Sequence, residues 1–247
     1  MIKRKRNMQS NQQKSYDMVN TERHTVDILK LFGPRIAKAK VPDRMMKALN
    51  DNCNSIIKSK KKRKEYDSSD FLVGHVSEEL TCKRDLPELS EFFRYLGQLT
   101  KCLIDETLKE RTPSAYGDAQ LPEQVDLQVE SAWYIRSFKG DYNPVHLHSS
   151  GDFSCVLYLE VPDSIGIENT RNKKEAYTTE GYIDFIYGLT TTLCSGNQVF
   201  MPVVGDIYVF PAFLYHTVYP FFGKGERRSF SANFSVKAPE YVNVVRK

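Results

Sequence analysis

In two segments, residues 41–57 and 86–110, apolar side chains recur every three or four positions, which places them on one face of an α-helix. Pro42 and Asp43 precede the first apolar stripe, which ends at Ile57, and both residue types are typical of a helix start. A second stripe predicts a helix from Leu86 to about Glu110. We expect these amphipathic helices to cover one face of a sheet.

From Val125 onward the pattern changes to short alternating or apolar segments separated by Gly, Pro, Asn and Asp, which is typical of β-strands joined by turns. The strands predicted here are Gln128–Phe138, Phe153–Val161, Tyr182–Tyr187, Gln198–Pro202, Asp206–Phe210, His216–Pro220 and Ser229–Val236. The apolar run at residues 26–32 predicts a further strand, which enters the domain before Gly33 and Pro34. Many short strands with turns between them indicate an antiparallel sandwich or barrel, so we predict a mainly β fold of the α+β kind.

The chain is expected to form one folded domain, because β-rich domains often reach 247 residues. Residues 1–22 are polar and basic and are predicted to be a disordered tail. Residues 23–247 are predicted to be the domain itself, with a helical N-terminal part over 23–124 and a β core over 125–247. The polar stretch 162–180 is predicted to be an insertion loop.

Composition narrows the class of protein without naming a function. A hydrophobic content of 40% and a charged content of 27% are ordinary for a soluble globular chain. No stretch approaches the roughly 18 apolar residues of a membrane span, and the basic N-terminus lacks the apolar run of a signal peptide. The five cysteines are widely spaced and form no CxxC pair, which argues against a disulfide framework. We therefore expect a cytoplasmic protein with no membrane partner.

Positive charge is concentrated in one internal segment, Lys58–Lys64, where six of seven residues are cationic. A run of this kind is most often a solvated loop. Its second interpretation is a contact for a polyanionic partner, although the net charge of +4 does not by itself imply nucleic acid.

The residues with the clearest chemistry lie in two short motifs, Gly140-x5-His146-x-His148-x3-Asp152 and Gly205-x5-Pro211-x4-His216. Residues i and i+2 of an extended segment point to the same side, so His146 and His148 can aim at one point. Imidazole is a common ligand for transition metals. An HxH pair alone is a weak signal, but its combination with a distal histidine after Phe-Pro predicts a metal site.

Two ligand sets remain open for this site. Two histidines and one carboxylate are the signature of non-haem iron(II) oxygenases, whereas three imidazoles can hold iron(II) or zinc with a position left open. We favour His146, His148 and His216 as the metal ligands. Asp152 is the alternative ligand, or else a residue that orients one of the histidines.

Two segments resemble a known family. Residues 133–162, WYIRSFKGDYNPVHLHSSGDFSCVLYLEVP, are similar to the first metal motif of the 2-oxoglutarate/iron(II) oxygenases of phage and bacterial type. Residues 201–234 resemble the closing motif of that family, in which a glycine turn, Phe-Pro, the distal histidine and an Arg-x-Ser strand follow in order. The resemblance covers roughly residues 128–236. It implies a double-stranded β-helix (a cupin-like jelly roll) with the N-terminal helices packed on one sheet.

The resemblance also implies roles for individual residues. His146 and His148 match the HxH pair, and His216 matches the distal ligand. Arg227 matches the arginine that holds the distal carboxylate of 2-oxoglutarate, and Ser229 matches its hydroxyl helper. A guanidinium suits a carboxylate, and residues 227, 229, 231 and 233 share one face of a strand, so Arg228 is expected to face solvent.

Three aromatic residues lie on the strands predicted to line the barrel. Tyr134 and Tyr158 are candidates to hydrogen-bond the cosubstrate. The competing interpretation is that a strand tyrosine packs in the core with its hydroxyl at the rim. Trp133 is expected to serve packing rather than chemistry.

The activity implied by the resemblance is that of an iron(II)- and 2-oxoglutarate-dependent dioxygenase. Such an enzyme uses O2 to convert 2-oxoglutarate to succinate and CO2 and hydroxylates a substrate, which is unidentified here. One alternative is a cupin-like metal dioxygenase or isomerase that does not use 2-oxoglutarate, because His148 stands where better-known oxygenases have Asp or Glu. The Arg-x-Ser strand favours the oxoglutarate enzyme. The other alternative is a non-catalytic jelly-roll binding module.

Overall fold

Two antiparallel sheets form the body of the protein in the computed structural model, which describes residues 14–17, 23–30, 33–69, 74–108, 125–166, 179–192 and 194–237. The strands are β1 Lys14–Asp17, β2 Arg23–Lys30, β3 Arg35–Lys40, β4 Glu78–Thr81, β5 Asp126–Ser137, β6 Asn143–His146, β7 Phe153–Glu160, β8 Ile183–Ile186, β9 Asn197–Phe200, β10 Asp206–Pro211, β11 Tyr215–Val218 and β12 Arg227–Lys237. The larger sheet has the order β1-β2-β3-β10-β7-β12-β5-β4, and the smaller has the order β6-β11-β8-β9. This arrangement confirms the predicted jelly-roll architecture.

The helices lie on the outer face of the larger sheet. They are α1 Asp43–Ile57, α2 Lys60–Tyr66 and α3 Ser90–Leu108, the last preceded by a short 3-10 turn at Pro87–Leu89. The apolar stripes of α1 and α3 are buried in one cluster with side chains of the sheet. Phe92 of α3, for example, meets Phe230 of β12 edge to face, with ring centroids 5.1 Å apart. Packing of the N-terminal helices on one sheet is thus confirmed.

The central strand β7 shows why its sequence is almost continuously apolar. Its side chains alternate between two buried surfaces, because successive residues of a strand point to opposite faces. Cys155, Leu157 and Leu159 belong to the core beneath the helices. Val156 and Tyr158 belong to a second core between the two sheets. A strand covered on both faces has no solvent side and therefore lacks a polar alternation.

The N-terminal part is less helical than predicted. Strands β2 and β3 form a hairpin that joins the larger sheet through β10, and β4 pairs with β5. Residue 125 is therefore no structural boundary, since both parts of the chain build one sheet. The predicted disordered tail is wrong at Lys14–Asp17, where β1 pairs with β2. The rest of that predicted tail lies outside the described residues.

The basic segment is a helix rather than a solvated loop. Helix α2 begins after Ser59, whose side chain accepts a hydrogen bond from the backbone N–H of Lys62. It is fastened to the sheet by an ion pair between Arg63 and Glu78 of β4. No residue of the helix is fully buried, although Tyr66 at its end packs against the core, and the long, unbranched lysine side chains are compatible with a helix. The segment thus keeps its charge exposed but in a regular structure.

The state of the cysteines agrees with the sequence analysis, which argued against a disulfide framework. All five are free thiols, and four of them are buried. Burial raises the pKa of the Cys53 thiol to about 12, so this cysteine behaves as a small apolar side chain. None of the described helices is both long enough and apolar enough to cross a membrane.

Candidate metal centre

Three histidines converge inside the jelly roll, next to the inner face of the larger sheet. His146 of β6 and His216 of β11 are direct cross-strand partners, and their ring centroids are 4.2 Å apart. His148 follows the end of β6, and its backbone N–H donates to the carbonyl of Ala212 at 3.0 Å. One ligand atom from each of the three imidazoles lies within 4.8 Å of the others. A single metal ion can therefore reach all three.

Hydrogen bonds orient two of these rings. Nδ1 of His146 lies 2.8 Å from the carbonyl oxygen of Pro144, and Nδ1 of His216 lies 3.0 Å from that of Leu214. A carbonyl oxygen only accepts, so Nδ1 carries the proton in both rings and Nε2 is left with its lone pair. This is the tautomer that a metal-binding histidine needs.

Two of the imidazoles, those of His148 and His216, are also held neutral. Burial, with a smaller contribution from the neighbouring His146, lowers the pKa of His148 to about 4 and that of His216 to about 3. A protonated ring has no lone pair for a metal, so a depressed pKa keeps the ligand ready at neutral pH. The donor set, its convergence and its charge state all fit a divalent transition metal.

Asp152 does not belong to this group. The part of the chain that the structure describes has three clustered ligand side chains here, and all of them are imidazoles. The backbone of Asp152 is used instead: its N–H donates to Phe234, and its carbonyl accepts from Ala212, each at 3.0 Å. The geometry therefore supports the three-imidazole set and does not support Asp152 as the alternative ligand.

Arg227 enters the same cavity from β12. Its guanidinium is buried, donates to the carbonyl of Gly181 at 2.9 Å and to the hydroxyl of Ser137 at 3.1 Å, and lies over the ring of Phe221. No carboxylate of the described residues forms an ion pair with it, and burial lowers its pKa. A buried cation without an anionic partner is costly unless a ligand provides the negative charge.

Arg228 lies on the opposite face of β12, toward the helices. It is buried rather than solvent-exposed, which corrects the prediction made from the strand alternation. Its guanidinium pairs with Glu226 at 2.7 Å and with Glu160 at 3.4 Å. It also donates to the side-chain oxygens of Asn50 and Asn54 of α1, each at 3.2 Å. The sequence pattern could not show this, because the helix layer covers that face.

Three hydroxyl-bearing residues, Tyr158, Ser229 and Ser231, line the cavity with Arg227. Ser229 and Tyr158 both line it, and they face each other across β12 and β7. The Tyr158 hydroxyl is buried and has no hydrogen-bond partner among the residues that the structure describes. An unpaired buried hydroxyl costs free energy, so a ligand that accepts or donates a hydrogen bond there would remove a penalty.

Tyr134 lies elsewhere, and its predicted contact with a cosubstrate is wrong. The residue belongs to the core beneath the helices, where its hydroxyl donates to the Asn52 side chain of α1 at 2.9 Å. Its neighbour Trp133 occupies the cavity side instead, with its ring centroid 5.9 Å from that of His148. Trp133 and Tyr134 are adjacent in β5, so their side chains point to opposite faces of the sheet.

Asn233 is a site residue that the sequence did not single out. Its side-chain nitrogen lies 3.4 Å from Nδ1 of His148. The available signal was the placement of residues 227, 229, 231 and 233 on one face of a strand, which holds in the structure. Ser231, on the same face, lines the cavity as well.

Comparison with known proteins agrees with this geometry. Residues 131–233 match the family model described as "Putative 2OG-Fe(II) oxygenase". The carbocyclase SnoK from nogalamycin biosynthesis, described as non-haem and α-ketoglutarate-dependent, has a similar structure with a TM-score of 0.52 at 11% identity, over 81% of this chain and 78% of SnoK. A Pseudomonas putida prolyl-4-hydroxylase gives 0.49 at 17% identity, over 81% and 91%. No curated protein sequence matches the chain.

The solved structures and the family model support different predictions. At such low identity the likeness to solved structures concerns the fold, and the family match is what bears on the chemistry. The cofactor and cosubstrates of this family are iron(II), 2-oxoglutarate and O2, which were the predicted ones. None of the matched proteins supports a polyanionic partner for residues 58–64. The matched segment contains the HxH pair, the distal histidine and Arg227, so this part of the chain is similar to the 2OG-Fe(II) oxygenases, a class of oxidoreductases.

Proposed function

We propose that this protein is a dioxygenase that hydroxylates a substrate while 2-oxoglutarate is converted to succinate and CO2. His146, His148 and His216 hold the iron(II), and Arg227 anchors the cosubstrate. The observation that carries the proposal is the buried guanidinium of Arg227, which forms no ion pair with a carboxylate of the described residues and lies in the same cavity as three converging imidazoles.

The three histidines would hold the metal through nitrogen atoms alone. All are neutral ligands, so the ion keeps its full positive charge and attracts an anionic chelator. Iron(II) bound there supplies the activation of O2 that the side chains cannot provide. The protein's own contribution is to orient the imidazoles, which the carbonyl oxygens of Pro144 and Leu214 do for two of them.

Arg227 would bind the carboxylate of 2-oxoglutarate farther from the metal. The guanidinium already donates hydrogen bonds to Gly181 and Ser137, and these bonds hold it in place. Its remaining N–H groups suit a carboxylate in a dry site, where a charge-assisted bond is strong. The orphan hydroxyl of Tyr158 and that of Ser229 complete a polar end for the cosubstrate.

The cavity wall near the metal is where a prime substrate would be bound. Trp133 and Ile135 of β5 line it beside His148, so the substrate meets an aromatic and an aliphatic surface there. The chemical class of the substrate stays open, because specificity depends on loops carried by the scaffold. Residues 58–64, 162–180 and 189–197 are the segments that we expect to set specificity, and most of residues 162–180 lies outside the described residues.

Binding and turnover of 2-oxoglutarate test the proposal. Purified protein with iron(II), ascorbate and 2-oxoglutarate should release succinate, even without a prime substrate, and calorimetry with Co(II) under argon should show metal-dependent 2-oxoglutarate binding. R227L should weaken 2-oxoglutarate binding about 30-fold or more, because truncating one partner of a buried charge pair costs about 2 kcal/mol or more. Its metal affinity should stay unchanged.

Matched variants separate the alternatives. R227K keeps the charge but loses the planar fork, so intermediate affinity is expected. R44L removes an arginine that pairs with Glu91 far from the cavity and should change neither ligand. H216A should lose the metal. A protein that binds metal but neither binds nor consumes 2-oxoglutarate would overturn the proposal in favour of a cupin-like enzyme.

A further inference from the structure

The three histidines are not supported in the same way. His146 and His216 are each oriented by a backbone carbonyl two residues earlier in the chain, Pro144 and Leu214. For His148 the group near Nδ1 is a side chain, the amide of Asn233, at 3.4 Å. Among the three histidines, His148 is therefore the one whose neighbour at Nδ1 is a side chain, which substitution can remove, whereas a backbone carbonyl stays.

Asn233 itself is held by a small polar cluster on the inner face of the larger sheet. The Ser154 hydroxyl donates to Oδ1 of Asn233 at 2.7 Å, and Nδ2 of Asn233 donates to the Ser150 hydroxyl at 3.2 Å. Ser154 and Asn233 face each other across β7 and β12 and are 1% and 5% exposed. Such burial makes each of these hydrogen bonds expensive to lose.

The chemistry of the cluster allows it to serve a metal-bound His148. An amide carries a donor and an acceptor at the same end, and a half-turn about its terminal bond exchanges them. Serine hydroxyls donate or accept, so Ser154 and Ser150 satisfy either orientation. With Oδ1 toward the ring, the amide accepts from Nδ1–H and leaves Nε2 of His148 for the metal, as in the other two histidines.

We propose that Asn233, held in place by Ser154, is a positioning residue that sets the ring orientation and tautomer of His148. This rests on the proposed function, because it assigns a role around the same metal. Asn233 does not touch the metal itself. Its effect is on how tightly and with what geometry the third imidazole binds.

Metal affinity and the absorption spectrum of the Co(II)-loaded protein test this proposal. N233A should weaken Co(II) binding about 10- to 100-fold, as loss of a partner behind a ligand histidine does. It should also shift the visible d–d bands, which report the ligand geometry. N233D keeps an acceptor for Nδ1–H and should regain most of the lost affinity. S154A, which frees the amide without deleting it, should give a smaller loss.

The control is N52A, which removes a comparable side chain on the helix face, where it accepts from Tyr134. It should lower stability without changing the Co(II) spectrum. If N233A does not fold, S154A decides, because it deletes one hydroxyl only. Unchanged affinity and spectrum in N233A, or in S154A when N233A is unfolded, would overturn the role of Asn233. Failure of the wild-type protein to bind Co(II) would instead refute the proposed function.

Discussion

Arg227 and Arg228 are neighbours in the sequence but belong to different parts of the protein. Arg227 enters the cavity, while Arg228 joins an ion-paired network with Glu226 under the helices. Strand alternation predicts that the side chains of two adjacent residues point to opposite faces of the sheet. It does not say which face is the interior, and here both faces are buried. The same ambiguity explains why Tyr134 was a candidate for the cavity although it packs under the helices, whereas its neighbour Trp133 lines the cavity.

Glu79 of β4 is a carboxyl group with an unusual environment at the edge of the larger sheet. Its side chain accepts a hydrogen bond from Ser68, but burial outweighs that bond and raises its pKa to about 7. A carboxyl group with a higher pKa in the folded chain than in the unfolded chain binds its proton more tightly when folded. Stability therefore falls as the pH rises from about 4.5 to about 7.

We expect E79Q to remove this pH dependence. Between pH 4.5 and 7 the wild-type free energy of unfolding should fall relative to that of E79Q, by at most about 3 kcal/mol given 1.36 kcal/mol per pKa unit. Urea unfolding of both proteins at several pH values measures the difference, in which titration of the shared groups cancels. Parallel curves for the two proteins would show that Glu79 does not titrate in this range.

At the scale of elements, the metal centre depends on how the segment after β6 is held. His148 follows the end of the strand, and the chain then turns at Gly151, whose φ is +79°. A Cβ atom there would lie 2.8 Å from the backbone nitrogen and oxygen of Phe234. Glycine is therefore required twice, once for the left-handed backbone and once for the close approach of β12.

Gly151→Ala should destabilise the protein by about 2 kcal/mol or more, because backbone strain and a backbone contact add together. Gly140→Ala is the matched control: its φ is +90°, but nothing lies within 4 Å of the added Cβ. It should cost about 1 kcal/mol, the strain alone. Chemical denaturation of the two variants measures both values, and equal losses would mean that the contact with Phe234 is easily relieved.

At the scale of the whole molecule, the larger sheet has a hydrophobic core on each of its two faces. One core lies under the helices and the other lies between the sheets, next to the metal centre. Phe230 connects β12 to the helix layer through edge-to-face contacts with Phe92 and Phe93 of α3, at 5.1 Å and 6.3 Å. The helices thus brace the strand that carries Arg227, Ser229 and Asn233.

F230A should reduce the free energy of unfolding by about 3–5 kcal/mol, the usual cost of a large cavity in a core. F213A removes a phenylalanine that is 58% exposed and should cost less than about 1 kcal/mol. Thermal and denaturant unfolding followed by circular dichroism would compare them. A loss for F230A as small as that for F213A would mean that the helix layer is not tightly coupled to the sheet.

The sequence predicted much of the element pattern and part of the site. Amphipathic stripes predicted α1 and α3, and alternation with turn residues predicted the principal strands after Val125. The short strands β4 and β6 were missed, because EELT and NPVH each contain one aliphatic residue apart from proline and so show no apolar alternation. Helix α2 was missed for another reason: Tyr66 is its one apolar residue, so its sequence has no apolar stripe.

Local sequence by itself determined the residue types available to the chemistry: three imidazoles in two motifs, one Arg-x-Ser strand and a glycine turn after the HxH pair. Only the tertiary structure decided which of these meet. Cross-strand pairing put His216 beside His146, and the helix layer buried Arg228 and Tyr134 away from the cavity. The physical reason is that spacing along a strand defines relative faces, whereas the identity of the inner face depends on elements distant in the chain.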